Sequence, residues 1–147
     1  MGVVCPCGVR VDAFSEDNNV KFTSANGTVE GNLTYLANVC VTTLAASTLS
    51  LQFEDTETAA GQFSFLFTAN EITSVTCNQQ GQNCEITVTG TGTVGMNEFT
   101  FEAVFRDQVA SANVDIVQSF VIKGFFDQNG AAPVEQGTIV ALGCQEL

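Results

Sequence analysis

Apolar and polar residues alternate along most of this 147-residue chain, and a period of two is the repeat of a β-strand. From Val29 to Val41 the positions Val29, Leu33, Tyr35, Ala37, Val39 and Val41 are apolar, while Glu30, Asn32, Thr34, Asn38 and Thr42 hold the other face. Leu49, Leu51 and Phe53 alternate with Ser50 and Gln52, and Phe63, Phe65 and Phe67 with Ser64 and Leu66. Ile86 and Val88 alternate with threonines up to Val94. Gly95-Met96-Asn97 then turns the chain into Phe99, Phe101, Ala103 and Phe105, a clear hairpin. Asn26-Gly27 marks another, after a strand over Asn19–Ser24, because both residues tolerate positive φ. Val114–Phe126 and Thr138–Cys144 are apolar on both faces, which predicts strands covered on both sides, within the domain or by a neighbouring subunit. Thr56–Gly61 is the one short helical candidate.

Nine or ten strands separated by turn residues predict an all-β domain over residues 9–147. The expected architecture is an antiparallel β-sandwich, jelly-roll or immunoglobulin-like, of about 8–10 strands. Residues 1–8 fall outside the pattern. Cys5-Pro6-Cys7-Gly8 obstructs regular pairing, so this segment reads as a flexible, cysteine-bearing arm.

Six cysteines, Cys5, Cys7, Cys40, Cys77, Cys84 and Cys144, share the chain with no histidine and no tryptophan. An even count fits disulfides and an extracellular or otherwise oxidising surface location. Cys77 and Cys84 flank a polar loop and share strand faces with Val75 and with Ile86 and Val88, so an intrachain bond across a hairpin mouth is expected. A bond between Cys5 and Cys7 would close a strained ring, which leaves both for other partners. Cys40 falls on the polar face of its strand, where it can cross-link outward. A bulge would instead turn it inward toward Cys144 or the arm. Cys5, Cys7, Cys40 and Cys144 are therefore candidate intersubunit cross-links, with pairing inside one chain as the alternative.

Without histidine the commonest base for nucleophilic and general acid–base catalysis is missing, and no enzyme activity is expected. Sixteen carboxylates face the four cations Arg10, Lys21, Arg106 and Lys123, a net charge of −12 that disfavours nucleic acid and anionic membrane surfaces. No apolar run approaches a membrane-spanning helix, and Met1–Gly8 lacks the basic and apolar regions of a signal peptide. Cys-x-Cys and Cys-x6-Cys spacings without histidine do not make a zinc site. The acidic runs Glu16-Asp17, Glu54-Asp55 with Glu57, and Asp127–Gly130 lack an EF-hand register, so no metal or cofactor is expected. With Tyr35 as the single tyrosine, no aromatic platform for sugars is evident. Asn26-Gly-Thr28 and Asn32-Leu-Thr34 match the N-glycosylation pattern, which short Asn/Thr-rich stretches also meet by chance.

The arm Cys5-Pro6-Cys7-Gly8, followed by Val9-Arg10-Val11 and a Phe/Val/Thr-rich β domain, resembles the layout of endospore appendage subunits and of exosporium or spore-coat proteins. The resemblance implies a non-enzymatic subunit that polymerises with copies of itself into a disulfide-cross-linked fibre or layer. It also implies that the arm bonds to neighbouring subunits, and that oxidation outside the spore core explains disulfides without a secretion signal. Few lysines protect strand edges against such association. The alternative is a secreted monomeric binding module, adhesin- or lectin-like, with internal disulfides.

Overall fold

A computed structural model describes residues 5–108 and 112–143. The chain is all-β, as its alternation implies, but it forms a barrel and not a sandwich. Ten strands follow in order: β1 (Gly8–Phe22), β2 (Thr28–Cys40), β3 (Thr48–Asp55), β4 (Phe65–Gln80), β5 (Asn83–Val94), β6 (Asn97–Asp107), β7 (Val114–Ile122), β8 (Phe126–Asp127), β9 (Ala132–Glu135) and β10 (Ile139–Leu142). Strands β1 to β7 pair antiparallel with their sequence neighbours, and β8 pairs with both β7 and β1. Phe126 faces Ile122 on one side and Phe22 on the other, so eight strands close into a ring. β9 pairs with β7 and β10 with β1, outside that ring.

The closure has identifiable causes. Strands of up to sixteen residues must coil strongly to bury one face, and bulges and inward glycines supply the bend. The register slips between Ser15 and Asn18 in β1, twice between Ala69 and Ser74 in β4, and at Val104/Phe105 between β6 and β7. A Cβ on Gly31 would lie 2.5 Å from the Phe53 ring, and one on Gly92 2.4 Å from the Phe67 ring. Each glycine thus gives an aromatic ring room to turn into the lumen.

The interior is a packed core. Val9, Leu33, Tyr35, Leu51, Phe53, Phe67, Ile86, Val88, Phe105 and Phe120 are essentially inaccessible. Outward positions such as Thr87, Thr89, Thr91 and Thr93 of β5 are polar, so the faces alternate apolar-in, polar-out. No helix among the described residues is long and apolar enough to cross a membrane.

Several boundaries differ from the sequence reading. Gly8 already opens β1, whose polar run Ser15–Asn18 conceals the strand behind a bulge with Asp17 at φ 58°. The strand expected over Phe63–Phe67 is the start of β4, which continues to Gln80 because its two bulges break strict alternation. Val114–Phe126 is β7, a turn and β8. The helical candidate Thr56–Gly61 is a loop that ends in the 3-10 turn Ala59–Gly61.

Candidate functional site

Three regions concentrate the chemistry: the stapled mouth where β1 begins, the polar seam that closes the barrel, and an apolar patch on its outer wall.

At the mouth the arm is held by its own chain. Cys5 bonds to Cys40 and Cys7 to Cys77, with Cα separations of 5.9 and 5.8 Å. Cys40 faces away from the core as its strand parity requires, and Cys5 reaches it along the outer side of the rim. Cys7 turns into the mouth, where it and Cys77 pack against the core. The arm therefore straddles the rim, and the Val41 amide donates to the Cys7 carbonyl at 2.9 Å. A Cβ on Gly143 would fall 1.9 Å from the Pro6 carbonyl oxygen, so the last described residue passes directly over the arm.

The expected Cys77–Cys84 bond is not formed. The hairpin turn is tighter than the polar run implies: Gln80 pairs with Asn83, Cys84 lies opposite Gln79, and Cys77 opposite Ile86. Cys77 and Cys84 are thus diagonal neighbours, whose Cβ atoms lie about 7 Å apart, too far for a disulfide. Cys5, Cys7 and Cys40, expected as intersubunit links, are paired within one chain. Cys84 is also disulfide-bonded, and Cys144 lies outside the described residues. Disulfides of this kind are compatible with an oxidising, extracellular environment.

The seam between β1 and β7 is built from buried polar side chains. Gln128 donates through Nε2 to the Val117 carbonyl at 2.9 Å and the Gly130 carbonyl at 2.8 Å, while its Oε1 accepts from the Tyr35 hydroxyl. Burial raises the Tyr35 pKa well above the phenol range. Fully buried Asp115 accepts from the amides of Gln108 at 2.9 Å, Gly137 at 2.8 Å and Ile139 at 3.2 Å, which pins the turn between β9 and β10. Asp107 accepts from the Ala141 amide at 2.8 Å and so anchors β10. Burial pushes the Asp107 carboxyl up; the Ala141 bond opposes this and the neighbouring Asp115 charge adds to it.

Two of the acidic runs, Glu54-Asp55 with Glu57 and Asp127–Gly130, are likewise engaged. Asp55 accepts from the amides of Glu57, Thr58 and Phe63 at 2.9, 2.9 and 3.0 Å and from the Thr58 hydroxyl. Burial acts to raise its pKa, but these bonds outweigh it and bring the group to about 2. Glu54 accepts from Asn32 at 3.3 Å, Glu57 from the Glu30 amide at 3.4 Å, and Asp127 from the Asn129 amide at 2.8 Å. Among the described residues no three His, Cys, Asp or Glu side chains are grouped to hold a metal ion.

The patch was not singled out from the sequence. Phe14, Leu36 and Leu66 are 48, 48 and 57% exposed, although large apolar residues elsewhere on these strands point inward. Phe14 lies in a row with Thr34, Gln52 and Leu66, and Leu36 in the next row with Asp12, Ser50 and Thr68. Leu36 and Leu66 wall a groove of about 490 Å³ over β3, floored by Thr48, Ser50 and Thr68. The signal was parity: each of the three is an apolar residue on the otherwise polar face of its strand.

Comparison with protein-family models, curated proteins and solved structures gives no match.

Proposed function

We propose that this chain is a non-enzymatic structural subunit of an extracellular or spore- or cell-surface assembly, joined to copies of itself by face packing. The observation that carries this reading is the patch of exposed Phe14, Leu36 and Leu66 on the outer face of β1–β4, on a barrel whose interior is already filled by its own side chains. Lack of histidine and the use of buried carboxylates as acceptors for backbone amides support a non-enzymatic role. Strand addition keeps one long edge, because β3 pairs with β4 only over Phe65–Thr68 and no described strand pairs with Ala69–Gln80 on that side. Cross-linking through Cys5, Cys7 or Cys40 is replaced by internal stapling.

A second reading, a secreted monomeric binding module, is favoured by those same intrachain disulfides, which make one copy self-contained. Electron microscopy and non-reducing gels of oxidised protein separate the two. The subunit reading expects ordered assemblies that detergent dissolves to single chains without reductant. Uniform monomers at every concentration would discard it in favour of the binding module.

A further inference from the structure

We infer that Asn26, at the tip of the β1–β2 hairpin, is a site of spontaneous covalent modification that converts to aspartate and isoaspartate in the folded protein. The second Asn-Gly pair, Asn129-Gly130, is held against the same reaction. The inference is independent of the subunit reading and needs no co-reactant but water.

The chemistry is intrinsic to the dipeptide. The deprotonated Gly27 nitrogen attacks Cγ of Asn26, a nitrogen–carbon bond forms, and the Cγ–Nδ2 bond breaks with release of ammonia. Water then opens the five-membered imide at either carbonyl, leaving aspartate or isoaspartate, and no electrons are gained or lost. A glycine after the asparagine favours ring closure, because no Cβ hinders the approach and the backbone turns freely. Asparagine is thermolabile in such settings.

The chain carries two such pairs, and the structure separates them. Asn26 and Gly27 are exposed in a bend beyond the last ladder pair of the hairpin, Lys21 with Thr28. Among the described residues no hydrogen bond engages Asn26 or Gly27. A Cβ on Gly27 would meet nothing within 4 Å, so the imide has room to form. Asn129 and Gly130 are also exposed, and Gly130 is as open, so accessibility does not distinguish the pairs.

Hydrogen bonding does. The Asn129 main-chain amide donates to the Asp127 carboxylate at 2.8 Å, and its Nδ2 donates to the Asn19 carbonyl at 3.4 Å. The Gly130 carbonyl accepts from buried Gln128 at 2.8 Å. Asn129 sits at φ 64°, in the left-handed region. Bringing its Cγ onto the Gly130 nitrogen requires turning the backbone between them, which strains or breaks these bonds. The seam that closes the barrel thereby protects its own asparagine. At the hairpin tip, each conversion adds one carboxylate to a chain already at −12, and isoaspartate lengthens the main chain by one carbon.

The test is to hold oxidised, folded protein in warm, mildly alkaline buffer and follow the peptides spanning each pair by mass spectrometry, which reads amide turned to acid. Asn26 is expected to convert at least tenfold faster than Asn129, and faster still as pH rises, because the attacking nitrogen must lose its proton. In the reduced, denatured chain the two rates are expected to converge within threefold, since both pairs are then the same free dipeptide. Asn26→Gln, which would need a larger ring, is expected to stop conversion at the hairpin and leave Asn129 as it was. Equal rates at the two pairs in the folded protein would overturn the inference. A ratio that persists unchanged in the denatured chain would also overturn it, because neighbouring sequence and not the fold would then set the difference.

Discussion

The two ends of the barrel are closed by different physics. At the end where β1 begins, closure is covalent and polar: Cys5–Cys40 and Cys7–Cys77 strap the arm over the rim, and Asp107 and Asp115 hold the β9–β10 segment through backbone amides. At the other end closure is aromatic. Phe22 packs against Phe53, Phe63, Phe65, Phe125 and Phe126 with ring centroids 5.1 to 5.8 Å apart, and Phe99 stacks on Phe125 at 5.3 Å. Offset and edge-on rings fill volume without polar atoms to satisfy, so this end needs no cross-link. The stapled end is where the chain start and the last strands converge on a few short pairings, and short strands alone hold termini poorly.

The largest expected effect breaks the stapled end. Loss of Cys7–Cys77, a closure of 70 residues, in the double variant Cys7→Ala, Cys77→Ala is expected to lower stability by roughly 4 kcal/mol on chain-entropy grounds. Urea unfolding measures it. Hydrogen exchange should show Gly8–Val11 and β10 opening, with protection kept around Phe22; uniform loss of protection would mean that the two ends are one cooperative unit.

Phe22→Ala attacks the aromatic end and is expected to cost about 3 kcal/mol, under oxidising and reducing conditions alike. Combined with the cysteine variant, its effect should add, because the sites share no partners. A strong coupling between them would argue against two separately closed ends.

Asp55→Asn, also at the aromatic end, removes a carboxylate that accepts from four donors, and is expected to cost about 2 kcal/mol at neutral pH. The pH dependence sharpens the comparison. The folded Asp55 pKa is depressed from 3.8 to about 2, so its contribution is complete above pH 4 and lost as pH falls toward 2. A stability difference between wild type and the Asp55→Asn variant that stays constant on acidification to pH 2 would contradict this assignment.

Asp107→Asn, at the stapled end, should change stability least, within about 1 kcal/mol, since an amide oxygen can still accept from Ala141. Its sign is opposite. The folded Asp107 pKa is raised, so the charged form is the less favourable one, and its contribution declines as pH rises through the folded pKa. The variant should equal or exceed wild type at neutral pH; thermal melts at pH 5 and pH 8 measure this, and a clear loss at pH 8 would refute it.

Much of the fold was legible where each strand obeyed strict alternation. β2, β3, β5 and β6 were found within a few residues because a half-buried strand needs apolar side chains at every second position, and the Asn26-Gly27 turn was visible because Gly27 adopts φ 79°. β1 and β4 were obscured where bulges reset the parity, at Ser15–Asn18 and Ala69–Ser74. Those resets, with the inward glycines, coil the sheet until β8 can bridge to β1, so the same features that hid the strands turned an expected sandwich into a barrel.

What the sequence by itself determined is the all-β class and the inward face of each regular strand, since local side-chain order dictates these. What only the tertiary structure decided is pairing across distance. Cys7 meets Cys77 because ring closure brings the start of β1 to the end of β4, and Phe14, Leu36 and Leu66 form one patch because three strand registers align them. Strand register and ring closure arise from contacts between residues far apart in the chain, and no local pattern encodes them.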